Sequence, residues 1–231
     1  MEEIETIISK WQSEKLNKIE KGSVYSRNPI AHKWKAPYRS LVTRELVFWR
    51  IIDLIDQTVL LAKNDYILGA RILLRSAIET LGILIYLNQK MKALLDGSIK
   101  YEDFDSITVR LILGTKQSDS KVESINIVTV LQKCDKKYPG IFDIYKDLSE
   151  SSHPNFEGMS MGYSEIDDEK YITHFRNRWK ELYSNDLEHL TLTCISTFEL
   201  EYNNVWPELF ESLEKWLEKN DKYLSTKTSN T

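Results

Sequence analysis

The feature that most constrains this chain is the run from Tyr66 to Leu87, broken by three charges, Arg71, Arg75 and Glu79, at a spacing of four. Residues four apart share one face of a helix, so the charges form a single polar stripe on a helix whose other positions are mostly Ile, Leu and Ala. Three charges at mid-helix are costly in a bilayer, which makes the run a buried helix of a globular fold and not a membrane span. Charge on a core helix must be compensated. Its candidate partners are the stripe itself, Asp53 and Asp56 on the preceding helix, or an external anion. An interhelical salt-bridge seam and the floor of a polar pocket are both compatible with the pattern.

Composition then narrows the class. Of 231 residues 42% are hydrophobic and 29% charged, with 8 Gly and 5 Pro. A β-sandwich or barrel needs a turn signal roughly every ten residues, which so few Gly and Pro do not supply. The expectation is an all-α antiparallel bundle of about seven or eight helices. A net charge of −4 excludes a globally basic nucleic-acid binder and leaves only a local basic patch for a polyanion. Cys134 and Cys194 form no Cys-x-x-Cys pair, and no secretory signal is evident, so a cytoplasmic setting is expected. His32, His153, His174 and His189 lack metal-ligand spacing, and neither a Gly-rich phosphate loop nor a nucleophile elbow is present. No metal or cofactor is expected.

Three regions are expected: an arm and connector (1–38), a helical bundle (39–224) and a disordered tail (225–231). In the arm, Ile4, Ile7, Ile8, Trp11 and Ile19 recur at helical spacing behind an acidic first turn, and this stripe asks for a partner surface. Pro29 and Pro37 forbid one continuous helix through the connector. Helices over 39–63 and 65–92, joined at Asn64-Asp65, should form an antiparallel hairpin. A short helix from Glu102 to Leu113 precedes a polar loop, 115–124. Ser124 is expected to cap a helix reaching Lys136, and 141–152 supplies another that Pro154 ends. After an irregular stretch, 155–165, Asp167 and Asp168 open a helix to Tyr183 and Asp186 a second to Asn204. The last helix, ending near Tyr223, carries an apolar stripe of Trp206, Phe210, Leu213, Trp216 and Leu217.

Two segments could carry chemistry. In YKDLSESSHPNFEG (145–158), His153 ends a helix directly before Pro154, where it is held by backbone yet reachable by a ligand; C-terminal capping is the plainer reading. HFRNRWK (174–180) gathers His174, Arg176, Arg178 and Lys180 around Phe175 and Trp179, a mixture that grips phosphate and stacks on bases, or else a solvated face. Lys116, Lys121, Lys133, Lys136 and Lys137 form a looser basic run.

The segments LLRSAIETLGILIYL (73–87) and YKDLSESSHPNFEG, with LGTK (113–116) and the Val-Leu helix before Pro139, resemble an uncharacterised family of bacterial helical proteins. That family looks related to the HEPN superfamily, and the resemblance spans roughly residues 40–200, with Leu-Ser-x-x-x-His-Pro-Asn its most specific part. It implies an antiparallel helical bundle and a homodimer. Active HEPN ribonucleases carry an Arg, four to six residues, then a His. The His moves protons between the RNA 2′-hydroxyl and the leaving oxygen, the Arg stabilises phosphate charge, and no metal is required. Here Lys146 stands seven before His153, which keeps the charge but loses the bidentate fork. The stretch RNPIAH matches the spacing literally, with Arg27, Asn28 and His32, but Pro29 and its place ahead of the bundle favour a structural or accidental reading.

The resemblance therefore implies a HEPN-like protein acting on or binding RNA or a nucleotide, a toxin or phage-defence component with metal-independent endoribonuclease chemistry. His153, Lys146, Arg75 and Glu79 are the expected catalytic residues. Arg71, Lys116, Ser149, Asn155, Arg176 and Arg178 are the expected binding residues. The alternative is a non-catalytic interaction or dimerisation module, in which the polar residues form a structural network and the arm and last helix dock a partner protein.

Overall fold

The computed structural model describes residues 1–117 and 121–228. Among them the chain forms ten α-helices, two π-helical turns and one β-hairpin: α1 (Glu2–Glu14), α2 (Lys21–Arg27), α3 (Pro29–His32), α4 (Lys35–Lys63), α5 (Ile67–Leu95), α6 (Tyr101–Leu113), α7 (Ile127–Asp135), α8 (Ile141–Ser152), π1 (Phe156–Met161), β1 (Ser164–Asp167), β2 (Ile172–Phe175), α9 (Trp179–Leu200), π2 (Glu201–Val205) and α10 (Trp206–Thr228). The protein is all-α apart from the hairpin. Ten helices replace the expected seven or eight, in part because the connector folds into two short ones. None of the described helices is long and apolar enough to cross a membrane.

The chain divides into two compact units, each assembled from three stretches. The first comprises Met1–Lys15, Phe48–Leu81 and Leu131–Thr197. Its core takes Leu74, Ala77, Ile78 and Leu81 from α5 and Ile4, Ile8 and Trp11 from α1. Trp11 meets Phe48 edge-on, ring centroids 6.0 Å apart. Ile4, Ile8 and Trp11 of the amphipathic arm are thus core and not an exposed docking face, contrary to the sequence expectation. Burying each such side chain stabilises by about 1.5–3 kcal/mol. Asp65, in the left-handed region at φ 62°, turns the chain between α4 and α5. The Tyr66 amide then donates to the Leu61 carbonyl at 2.9 Å, the wrapped-back bond that closes a helix end.

The largest departure from the sequence reading lies at 164–175. Asp167 and Asp168 do not start a helix. Instead β1 pairs antiparallel with β2, Glu165 opposite His174 and Asp167 opposite Ile172. The Asp167 carboxylate accepts the Lys170 amide at 3.0 Å, and Tyr171 takes a left-handed φ of 55°. An Asp side chain that bonds its own backbone offers a turn as readily as a helix start, and β-branched Ile166, Ile172 and Thr173 favour strands. The helix break expected near Asp186 is also absent: α9 runs unbroken, since Ser184-Asn185-Asp186 contains no Gly or Pro to stop it.

The second unit comprises Leu16–Val47, Gly82–Val130 and the chain from Phe198 onward. Asn28 caps α3 by accepting the Ala31 amide at 3.0 Å, with Pro29 in the first turn where its missing N–H costs nothing. Trp206, Phe210, Leu213 and Leu217 of α10 are buried, so the stripe assigned to partner docking is core, while Trp216 stacks on Tyr101 at 6.2 Å. As expected, α5 is followed by a left-handed Gly97, φ 74°. Helix α7 is capped by Asn126, which accepts the amides of Val128 and Thr129 at 2.9 and 3.3 Å, and not by Ser124. Thr115 and Glu123 form a bridge across the expected polar loop, of which 118–120 lie outside the described residues. Residues 225–228 continue α10, whereas 229–231 of the expected tail lie outside the described residues.

Candidate functional site: an arginine cluster at the end of helix α8

Within the first unit the polar stripe of α5 meets the last turns of α8. Arg71 is 1% exposed. Its Nε–H donates to Ser151 Oγ at 2.7 Å, and its Nη2 donates to the Asp147 carboxylate at 2.8 Å and to the Asp147 carbonyl at 3.2 Å. Glu157 adds an ion pair at 3.9 Å, and the guanidinium lies 4.2 Å over the Tyr183 ring. Burial, reinforced by a hydrogen bond to Glu157, pushes the Tyr183 hydroxyl up to about 12, so it stays a neutral donor at neutral pH. The buried charge of Arg71 is therefore compensated by α8, π1 and α9. Asp53 and Asp56 do not take part; Asp56 accepts a hydrogen bond from Gln12.

One turn further along α5, Arg75 is half-buried. It pairs with Glu79 at 3.1 Å, donates to Ser152 Oγ and Tyr145 Oη at 3.2 Å each, and lies 5.2 Å over the Tyr145 ring. Its Nε–H is buried without a partner. Glu79 thus lies one turn beyond Arg75 on α5 and shares its charge.

The His-Pro-Asn turn follows directly. Pro154 disfavours helical backbone at the residue before it, and His153 accordingly leaves α8 extended at φ −100°, ψ 146°. The Asn155 side chain accepts the Gly158 amide at 2.8 Å and starts π1. A Cβ on Gly158 would stand 2.0 Å from the His153 carbonyl oxygen, so only glycine allows the chain to fold back this closely. His153 occupies the C-cap position with its side chain exposed.

The remaining expected residues are distributed as follows. Ser149 spends its hydroxyl on the Tyr145 carbonyl of its own helix at 2.7 Å. Lys146 is exposed, paired with Asp143 at 2.7 Å and 5.3 Å over the Phe142 ring. Lys116 belongs to the second unit and is exposed. Arg176 is bound by Glu165 at 2.8 Å and Glu181 at 2.6 Å; the hydrogen bonds it donates to these acids hold the guanidinium even more firmly protonated, and Arg176 in turn holds the Glu181 carboxyl below the usual carboxylate range. Arg178 donates to the Ser164 carbonyl at 2.8 Å. The basic segment 174–180 is accordingly the end of β2, a connector and the start of α9, laced to acids, and not one helical basic face.

In the second unit, Arg27 and His32 converge on one carboxylate. His32 Nε2 lies 2.7 Å from Glu214 Oε1, and Arg27 Nη2 donates to Glu214 Oε2 at 2.7 Å. The side chains of His32 and Glu214 are 3% and 5% exposed, and His32 Nδ1 is buried without a hydrogen-bond partner.

Sequence reasoning missed Asp147, Ser151, Glu157, Tyr145 and Tyr183. One signal could have found the first two: Asp147 and Ser151 are four apart on α8, the same spacing as Arg71 and Arg75 on α5.

Fold and site together define an all-α protein in which a charged cluster ties one long helix to the end of another. Residues 46–144, less than half of the chain, match a family of unknown function, DUF5677. The match takes in Arg71, Arg75, Glu79 and Lys116 and ends before Tyr145, Lys146 and the His-Pro-Asn turn. No curated protein and no solved structure matches the chain.

Proposed function

We propose that the protein is a HEPN-like RNA- or nucleotide-binding protein whose contact point is the end of α8, with His153 as the reactive group and Arg75 as the anion holder. One observation carries this reading: the exposed imidazole of His153 directly follows Ser152, whose hydroxyl lies 3.2 Å from the Arg75 guanidinium. His153 leaves α8 at a turn that Pro154 and Gly158 shape, next in the chain to the serine that receives a hydrogen bond from Arg75 of α5. A phosphate at this end would be met by Arg75, oriented by Glu79. The His153 imidazole would accept the 2′-hydroxyl proton as that oxygen attacks phosphorus, and return a proton to the departing 5′-oxygen. Arg71 acts here as a positioning residue that holds α8 and π1, and it touches no substrate. The test is cleavage and binding of total tRNA without added metal by wild type beside His153→Ala, with thermal melts of both. Loss of either activity in a folded variant supports the reading, and unchanged activity defeats it.

A second reading, a non-catalytic interaction module, is favoured by a different observation. In the hairpin Ile166 and Phe175 lie on one face, since Ser164 pairs with Phe175 and Ile166 with Thr173, and they are 65% and 83% exposed. Two large apolar side chains on one exposed strand face suit a partner protein better than RNA, because acids outnumber bases from Ser164 to Arg176.

A further inference from the structure

The hairpin of the first unit leaves one strand edge open. Its bonding pattern follows from a single bond, the Arg176 amide donating to the Tyr163 carbonyl at 3.0 Å. In an antiparallel pair, residues that bond the neighbouring strand alternate with residues that do not. With Glu165 opposite His174 and Asp167 opposite Ile172, the positions of β2 that bond β1 are therefore Ile172 and His174. Thr173 and Phe175 turn their N–H and C=O groups away from β1. Among the described residues nothing bonds those outward groups, and all of β2 is exposed.

The two edges of the hairpin differ. On β1 the Ser164 carbonyl accepts the Arg178 guanidinium at 2.8 Å, which covers that side. Native proteins blunt an open edge with lysine, proline or a bulge, and Ile172–Phe175 has none of these. So short a strand offers few backbone bonds, so its side chains must supply the selectivity. Phe175 and Ile166 give an exposed apolar row on one face. The turn beside them is acidic. Arg176 is taken by Glu165 and Glu181, and Lys170 by Asp167, whereas Asp168 and Glu169 are exposed without an ion pair among the described residues. A second copy of the hairpin would bring the same excess of acids to the contact, while a basic segment complements it.

We propose that the outer edge of β2 binds an extended segment of a partner protein, rich in basic and β-branched apolar residues, which adds to the hairpin as a third strand. Its backbone exchanges hydrogen bonds with Thr173 and Phe175, its apolar side chains lie beside Phe175, and its basic ones lie toward Asp168 and Glu169. The proposal rests on the interaction-module reading and shares no residue with the His153 site.

The test combines fluorescence anisotropy and amide exchange of the full chain with a short labelled peptide of alternating lysine and valine, beside one of alternating glutamate and valine. Folded wild type is expected to bind the lysine peptide saturably and the glutamate peptide about tenfold more weakly. At saturation, exchange of the Thr173 and Phe175 amides should slow. Thr173→Pro removes one outward donor and leaves the β1–β2 ladder whole, so it should lower affinity about fivefold at an unchanged melting temperature. If the proline variant loses its hairpin, the exchange measurement on wild type decides. No saturable binding, equal binding of the two peptides, or unchanged exchange at both amides overturns the proposal. Protection of both amides without peptide, in a chain that sediments as a dimer, overturns it in favour of a second copy. Binding that Phe175→Thr weakens while both amides exchange as before overturns strand addition alone and leaves the interaction-module reading standing.

Discussion

Two Arg-His constellations in this chain end differently. In the second unit Arg27 and His32, which match the ribonuclease spacing letter for letter, both close on Glu214, and the imidazole is buried. In the first unit His153 follows a lysine in place of the arginine, yet its side chain is exposed beside a serine that Arg75 holds. The closer match to the motif is the one whose imidazole is buried against a carboxylate. Spacing along a chain says which residues a helix could bring together, but only tertiary context says whether a carboxylate has already consumed them.

The comparison breaks most visibly at Glu214. Replacing it with Ala leaves Arg27 and the buried His32 without their shared acceptor and should destabilise the protein by about 3–5 kcal/mol in urea unfolding, with no effect on RNA binding. A loss below about 1 kcal/mol would remove the structural role assigned to this cluster. Arg71→Met should cost about 2–3 kcal/mol by the same measurement. It costs less than the Glu214 change because Asp147, left unpaired, is 52% exposed and can be hydrated. A stable Arg71→Met variant that fails to bind RNA would instead make Arg71 part of the ligand site.

Smaller effects sharpen the contrast. Gly158→Ala forces a Cβ against the His153 carbonyl and should cost about 1–3 kcal/mol while weakening RNA binding, because the turn that presents His153 must shift. Normal RNA binding by that variant would show that the geometry of the turn does not matter. The smallest effect concerns the hairpin. Hydrogen bonds from the amide and then the ammonium of Lys170 hold the Asp167 carboxyl below its ordinary value. A carboxyl whose folded value is depressed contributes stability that is present above the unfolded carboxylate range and lost as pH falls through the folded value. Protection of the Lys170 amide, measured against its intrinsic exchange rate at each pH, should therefore fall as the solution is acidified through that window, and an Asp167→Asn variant should show no such change in protection.

Much of the helical frame was legible in the sequence. The 3.6-residue period marked α1, α4, α5 and α8, Gly97 marked the end of α5, and Pro154 fixed the end of α8. What escaped was decided by partners distant in the chain. Both amphipathic stripes, Ile4 to Trp11 and Trp206 to Leu217, read as docking surfaces because sequence shows an apolar face without showing what covers it, and most of each is buried in the folded chain. The hairpin escaped because Asp167-Asp168 is ambiguous between a helix start and a turn, and the choice fell to β-branched neighbours and the Lys170 amide. At the site, the stripe on α5 was evident, but its compensation by Asp147 and Ser151 depended on how α8 lies against α5, which spacing alone does not encode.

The central claim is that His153 and not His32 meets RNA. It is tested most directly by cleavage and binding of total tRNA, without added metal, by folded wild type, His153→Ala and His32→Ala side by side. Loss in His153→Ala at an unchanged melting temperature, with activity retained by whatever fraction of His32→Ala remains folded, is the expected result. Full activity in His153→Ala would contradict the assignment.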